Sequence, residues 1–144
     1  MGRRRKLTDI LASLSVSEAM TSRVVTLNSE TPLDEAMEIT MQFGHALYPV
    51  MEGQEILGVV TYERLLGASK NQPAEIPVKS LTTGNYNTIS MDCSLKEAVE
   101  IMSREEVGRI LVVHQDDRQH LIGVLSRSDV LAAFDQETSG RENP

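Results

Sequence analysis

The 144-residue sequence predicts an α+β protein made of two tandem β-α-β-β-α units packed as a pseudo-twofold pair. Three observations carry that expectation. First, a shift of 62 positions superposes residues 26–39 on 88–101. Thr26/Thr88, Leu33/Leu95, Glu35/Glu97, Ala36/Ala98, Glu38/Glu100 and Ile39/Ile101 are then identical, six of 14 positions where chance gives roughly one. Second, after a step to an offset of 65, residues 58–68 lie over 123–133, with Gly58 on Gly123 and Ala68 on Ala133. Third, a unit of about 60 residues leaves one sheet face short of cover, which its duplicate can supply. The expected divisions are a basic N-terminal connector or helix at 1–15, a first repeat at 16–68, a linker at 69–77, a second repeat at 78–135 and a disordered tail at 136–144.

In chain order, Arg3, Arg4, Arg5 and Lys6 precede Leu7, Ile10, Leu11 and Leu14, which share one helical stripe. Residues 25–28 and 87–90 are short β-branched runs bounded by polar turn formers and predict strands. A helix follows in each repeat, with apolar stripes Leu33, Ala36, Met37, Met41 and Leu95, Ala98, Val99, Met102. Thr31 as N-cap, Pro32 at the first helical position and Asp34 two residues on read as a helix start. The apolar runs 48–51 and 110–113 pair with 56–60 and 121–125 as hairpins. The second hairpin has the longer turn, 114–120, which accounts for the change of offset. Closing helices are expected at 62–68 and 127–134, and Pro73 and Pro77 mark the linker.

Composition removes several classes. With 40% hydrophobic and 24% charged residues the chain is neither disordered nor collagen-like. Its apolar runs fall far short of the roughly 18 residues of a membrane span. A net charge of -7 and 3% aromatics argue against both the basic face and the stacking platform used for nucleic acid. One cysteine, Cys93, excludes an internal disulfide, and no secretory signal follows the basic start, so a cytoplasmic location is expected. His45, His114 and His120 show no metal-ligand spacing. Cys93 takes the position of Thr31 and reads as structural. No nucleophile elbow, phosphate loop or zinc-protease motif is present, so no catalysis is expected.

A tandem β-α-β-β-α unit that opens with Val-Ser-Glu-Ala-Met-Thr at 16–21 and closes with Gly-aliphatic-aliphatic-Thr/Ser-x-x-Asp resembles a CBS domain pair, or Bateman module. That resemblance implies a regulatory module without an obligatory cofactor. It implies an adenosine-type ligand, AMP, ADP, ATP or S-adenosylmethionine, in clefts between repeats, read out as a conformational or oligomeric change, and a homodimer. The alternative is a dimerisation or interaction module of a transporter or channel with no bound nucleotide. The basic start is similar to the connector joining chloride-channel membrane domains to their cytoplasmic CBS pairs; a free N-terminus is the other reading.

The ligand motif is intact at 123–129. A helix that starts as a strand ends at Ser126 aims backbone N–H groups and a hydroxyl at a phosphate. Asp129, three residues on, can accept hydrogen bonds from ribose hydroxyls. The same Ser-x-x-Asp spacing is also a capping box, which needs no ligand. In the first repeat Thr61 stands for Ser126, but Arg64 replaces the aspartate. A guanidinium has no acceptor for ribose, though it can bind phosphate or simply stand exposed on its helix. One nucleoside site is therefore expected, on the second repeat. By analogy of position with the family, residues 83–89 and 109–111 line the cleft. Arg109 would neutralise phosphate, Thr83 would lie at the cleft, Tyr86 would cover the adenine, and Ile89, Ile110 and Val25 would wall the purine.

Overall fold

The computed structural model describes residues 6–142. The elements are α1 (Leu7–Ser13), α2 (Val16–Ala19), β1 (Leu27–Asn28), α3 (Leu33–Phe43), β2 (Leu47–Glu52), β3 (Glu55–Thr61), α4 (Tyr62–Ser69), a 3-10 turn (Val78–Leu81), β4 (Thr88–Ser90), α5 (Leu95–Glu105), β5 (Arg109–His114), β6 (Asp117–Ser126) and α6 (Arg127–Glu142). Two three-stranded sheets run β1-β2-β3 and β4-β5-β6, each with a parallel first pair and an antiparallel second pair. The class is α+β and the repeat is β-α-β-β-α, as the sequence predicts. Arg3, Arg4 and Arg5 lie outside the described residues.

The chain divides into two compact units, Val25–Tyr86 and a second made of the residues up to Val24 together with those from Asn87 onward. In the central unit, 25–86, the core is formed by Leu27, Leu33, Ala36, Tyr48, Val50, Val60 and Leu65, closed by Val78 and Leu81 of the 3-10 turn. Helix α3 buries Leu33, Ala36 and Thr40, while Met41 is 81% exposed. The inward row thus runs through Thr40 rather than the predicted Met41. Thr40 is accommodated because its hydroxyl donates to the Met37 carbonyl at 2.9 Å.

Nor does Thr31 cap this helix. Pro32 takes the cap position in extended conformation (ψ 151°), with no side-chain cap bond. The first-turn N–H groups of Leu33 and Asp34 donate instead to the carbonyls of Ile76 (2.8 Å) and Ala74 (3.1 Å). The Pro-rich stretch after α4 therefore satisfies the orphan donors that a side-chain cap would otherwise take. It is tied down further by Val78 N–H to the Thr31 carbonyl and by a 2.6 Å Lys79–Glu30 ion pair.

In the other unit the core is Leu11, Val16, Ile89, Leu95, Ala98, Met102, Ile110, Val112, Leu125 and Val130. Helix α1 buries Ile10 and Leu11 and packs against α5 and α6, leaving Leu7 exposed. Ser94 and Glu97 form a reciprocal capping box on α5, and the Leu95 N–H donates to the Leu14 carbonyl. The long turn expected at 114–120 shrinks to the two residues 115–116. β6 already begins at Asp117, and the register steps from Val112↔Gly123 to Val113↔Leu121 to His114↔Asp117. The second of these steps absorbs the three extra residues as a bulge. It places the His114 and His120 rings in a stack, with centroids 5.6 Å apart. Helix α6 continues to Glu142, so 136–142 are helical where the sequence predicts a disordered tail. The Thr138 hydroxyl donates to the Phe134 carbonyl at 3.0 Å within the extension.

Each sheet gains one more rung. Thr83 exchanges two 3.0 Å backbone hydrogen bonds with Val59 of β3, and Thr21 does the same with Val124 of β6 at 2.9 and 3.0 Å. Thr21 and Thr83 are themselves related by the 62-residue offset. A glycine lies directly beneath each rung. At Gly58 a Cβ would overlap the Thr83 carbonyl oxygen, and at Gly123 it would meet Met20 Sδ at 2.7 Å and the Thr21 carbonyl oxygen at 2.9 Å.

Candidate functional site

The intact motif lies where β6 ends and α6 begins. Ser126 is the last strand residue, and Asp129 is in the first helical turn. Their contacts are reciprocal: the Asp129 N–H donates to Ser126 Oγ at 3.1 Å, and the Ser126 N–H donates to Asp129 Oδ2 at 2.9 Å. The capping box is thus real, and it fixes the carboxylate over the start of α6. The Thr21 hydroxyl adds only long contacts, 3.4 Å to Oδ1 and 3.5 Å to Oδ2. Each carboxylate oxygen has two lone pairs, so Asp129 retains acceptor capacity, chiefly on Oδ1.

Arg109 opens β5 and stands directly opposite Ser126 in the antiparallel register. Directly opposed residues project to the same sheet face with Cβ atoms about 5 Å apart. An exposed guanidinium therefore shares a face with the Ser126 hydroxyl. The next pair, Ile110 and Leu125, projects to the other face and is buried at 1% and 0% exposure. The Arg127 N–H donates to the Gly108 carbonyl at 3.0 Å and locks the helix start to the strand start. One locus thus holds an acceptor carboxylate, a hydroxyl and a cation.

The corresponding locus of the central unit has a different chemistry. Thr61 caps α4 by accepting the Arg64 N–H at 3.1 Å, but no carboxylate returns the bond. Leu47 faces Thr61 where the second repeat has Arg109, and Arg64 occupies the aspartate position, exposed. Thr83 spends its backbone on Val59 and its hydroxyl on the Asn85 N–H, at 3.1 Å. Tyr86 ends this unit, half-buried. Val25, which opens it, is partly buried against its core. Ile89 and Ile110 are both core residues of the other unit, at 5% and 1% exposure, so their side chains are committed to packing.

The structure therefore brings Ser126, Asp129 and Arg109 together in one unit and leaves Thr61, Arg64 and Thr83 in the other. It adds Thr21, which sequence reasoning missed although the 62-residue offset from Thr83 was available to find it.

Burial, then the nearby Glu97 carboxylate, pushes the Cys93 thiol up from its ordinary range, and burial does the same for the Tyr48 hydroxyl. Tyr48 is fully buried and accepts the His45 N–H at 3.0 Å. Among the described residues no three His, Cys, Asp or Glu side chains stand close enough to hold a metal ion, and no helix is long and apolar enough to cross a membrane.

Tandem β-α-β-β-α repeats, the second with a Ser-x-x-Asp helix start at a strand end, define a class of regulatory modules. Residues 16–71 and 78–136 each match the CBS domain, and the chain belongs to the CBS domain family. It is a CBS pair, a regulatory module. The chain is 25% identical over 132 residues to the uncharacterized protein MJ0188 of Methanocaldococcus jannaschii. That alignment covers 90% of this chain and 48% of the relative, so the chain spans about half of that protein's length. The structure of CBSX2 in complex with AMP superposes with a TM-score of 0.76 at 24% identity, over 88% of this chain and 99% of that one. The CBS domain of a bacterial CNNM/CorC family Mg2+ transporter in complex with ATP does so with a TM-score of 0.76 at 19% identity, over 87% and 89%.

Proposed function

We propose that this chain senses an adenosine-type ligand, AMP, ADP, ATP or S-adenosylmethionine, at the β6–α6 junction and transmits its presence as a conformational or oligomeric change. Asp129 accepts the ribose hydroxyls, and Ser126 and Arg109 receive the phosphate. Thr21 stands at the ribose end. The observation that carries the reading is the placement of a carboxylate with spare acceptor capacity and an exposed guanidinium on either side of Ser126. A vicinal diol needs acceptors and a phosphate needs donors, and this locus offers both. CBS-pair structures with AMP and ATP support the choice of ligand class. In a chain of net charge -7, a phosphate must be drawn in by local groups, Arg109 and the start of α6, whereas the cationic S-adenosylmethionine meets no such penalty. The relative of about twice this length, and the transporter that carries a CBS domain, support a module that acts on an attached domain.

The test is calorimetric titration with AMP, ATP and S-adenosylmethionine. At least one should bind, and Asp129→Ala should weaken it by about 1–3 kcal/mol, the worth of hydrogen bonds to a charged group. No heat from any of the three at several hundred micromolar refutes the sensor. Unchanged affinity in Asp129→Ala refutes the ribose role.

A further inference from the structure

The two repeats act as internal controls for each other, since a position that the fold requires is filled alike in both. Along the closing helices the 65-residue offset leaves only Leu66/Leu131 and Ala68/Ala133 identical, and two of the differences change the chemistry of the helix face. Arg64 stands for Asp129, and Gly67 stands for Ala132.

Gly67 lies inside α4, where glycine costs about 1 kcal/mol relative to alanine. Nothing in the fold asks for it. Its φ is not positive, and a Cβ built there meets no atom within 4 Å. What the missing side chain leaves is an open groove of about 380 Å3, lined by Glu63, Arg64, Gly67, Asn71, Gln72 and Leu81.

The same stretch departs from α6 in a second way. Helix α4 stops at Ser69, and the Asn71 and Gln72 N–H groups both donate to the Ala68 carbonyl, at 3.1 and 2.8 Å. This turn wraps two carboxamide residues around the end of the groove, whereas α6 runs straight on to Glu142. Arg64 is exposed, and among the described residues it has no ion-pair partner. The adjacent Glu63 lies about 100° away around the helix and does not face it.

We propose that this groove binds a small molecule bearing one anionic group, a carboxylate or a phosphate, on the Arg64 guanidinium. The body of the ligand lies over the Gly67 backbone. The Asn71 and Gln72 carboxamides, each both donor and acceptor, read its polar groups, and Leu81 and Ala68 meet its apolar part. A guanidinium suits carboxylate and phosphate equally because its fork can bond either bidentately. The volume lies at the small end of the roughly 300–1,000 Å3 of ligand pockets. Glu63 at the rim and the acidic chain disfavour a polyphosphate, so a ligand with a single anionic group is favoured over ADP or ATP.

The experiment is a 15N–1H NMR titration of the full chain with inorganic phosphate and, separately, with acetate, at fixed ionic strength. Saturable shifts confined to the amides of 63–72 and Leu81 are expected with at least one probe. Phosphate alone assigns a phosphoryl ligand, acetate alone a carboxylate. Arg64→Gln should abolish the saturable response. Gly67→Ala, which installs the second repeat's residue, should weaken it at least threefold while raising thermal stability, which shows that the fold survives. No saturable response to either probe, or a response unchanged in Arg64→Gln, overturns the proposal. AMP, titrated last, reports on the amides around 126–129, so the two loci are judged separately.

Discussion

Gly58 lies where the backbone of Thr82 and Thr83 crosses β3, and replacing it with alanine puts a methyl group into space already filled. The new Cβ would overlap the Thr83 carbonyl oxygen and lie 2.7 Å from Thr82 Cγ2 and 2.9 Å from the Thr83 carbonyl carbon. Two of these three obstacles are backbone, so no rotamer change relieves them. The strap must lift, and lifting it breaks both 3.0 Å bonds between Thr83 and Val59. A net hydrogen bond contributes about 1 kcal/mol, and the Val59 N–H, in a residue only 4% exposed, adds a desolvation cost of about 1–3 kcal/mol if left unpaired. Against this, alanine stiffens the unfolded chain by about 0.4–1 kcal/mol. The expected net loss is about 2–4 kcal/mol, a fall in urea midpoint of about 1–2 M if the slope is unchanged. Gly123→Ala is the matched control. Its nearest obstacle is the flexible Met20 thioether at 2.7 Å, with the Thr21 carbonyl oxygen at 2.9 Å, so it should lose about 1 kcal/mol. Urea denaturation followed by far-ultraviolet circular dichroism measures both. A Gly58→Ala loss below about 0.5 kcal/mol, or a larger loss in Gly123→Ala, refutes the reasoning.

Two further outcomes follow from the same geometry. Ser94→Ala removes the α5 capping box and should lose about 1 kcal/mol, whereas Thr31→Ala, at the equivalent helix start, should stay within about 0.5 kcal/mol because linker carbonyls do the capping there; equal losses in the two variants would contradict this. Because burial and the Glu97 carboxylate raise the Cys93 thiol, its thiolate fraction at pH 8 is depressed, so iodoacetamide should modify the folded chain much more slowly than the urea-unfolded one, with Glu97→Gln partly restoring the rate. Equal rates folded and unfolded would refute it.

The repeat, the order of elements and the two closing motifs were legible because each leaves a local signature: a period, a cap spacing or a turn residue. What escaped the sequence depended on distant partners. Thr31 looked like a cap because Thr-Pro-x-Asp is a helix-start pattern, yet the donors it would have satisfied are taken by Ile76 and Ala74, more than 40 residues on. The 114–120 segment looked like a loop because it is polar, but strand pairing with a bulge absorbs it, and polarity alone does not distinguish an exposed strand extension from a turn. At the site, spacing found Ser126 and Asp129, and β-branching suggested Ile89 and Ile110 as walls. Strand alternation turns both side chains into the core, and only the register could decide that. Thr21 went unseen because it is 108 residues from the carboxylate that it touches.

That separation has a consequence for how the chain comes to be folded. The segment with α1, α2 and Thr21 is made before residues 25–86, yet its partners, Met91, Cys93, Leu95 and Val124, are made after them. During synthesis the central unit can close on its own 62 residues, while the leading segment waits with Ile10, Leu11 and Val16 uncovered. Residues made before the central unit are thus among the last to find their place, and the Asp129 locus is completed only when Thr21 reaches it across 108 residues of chain.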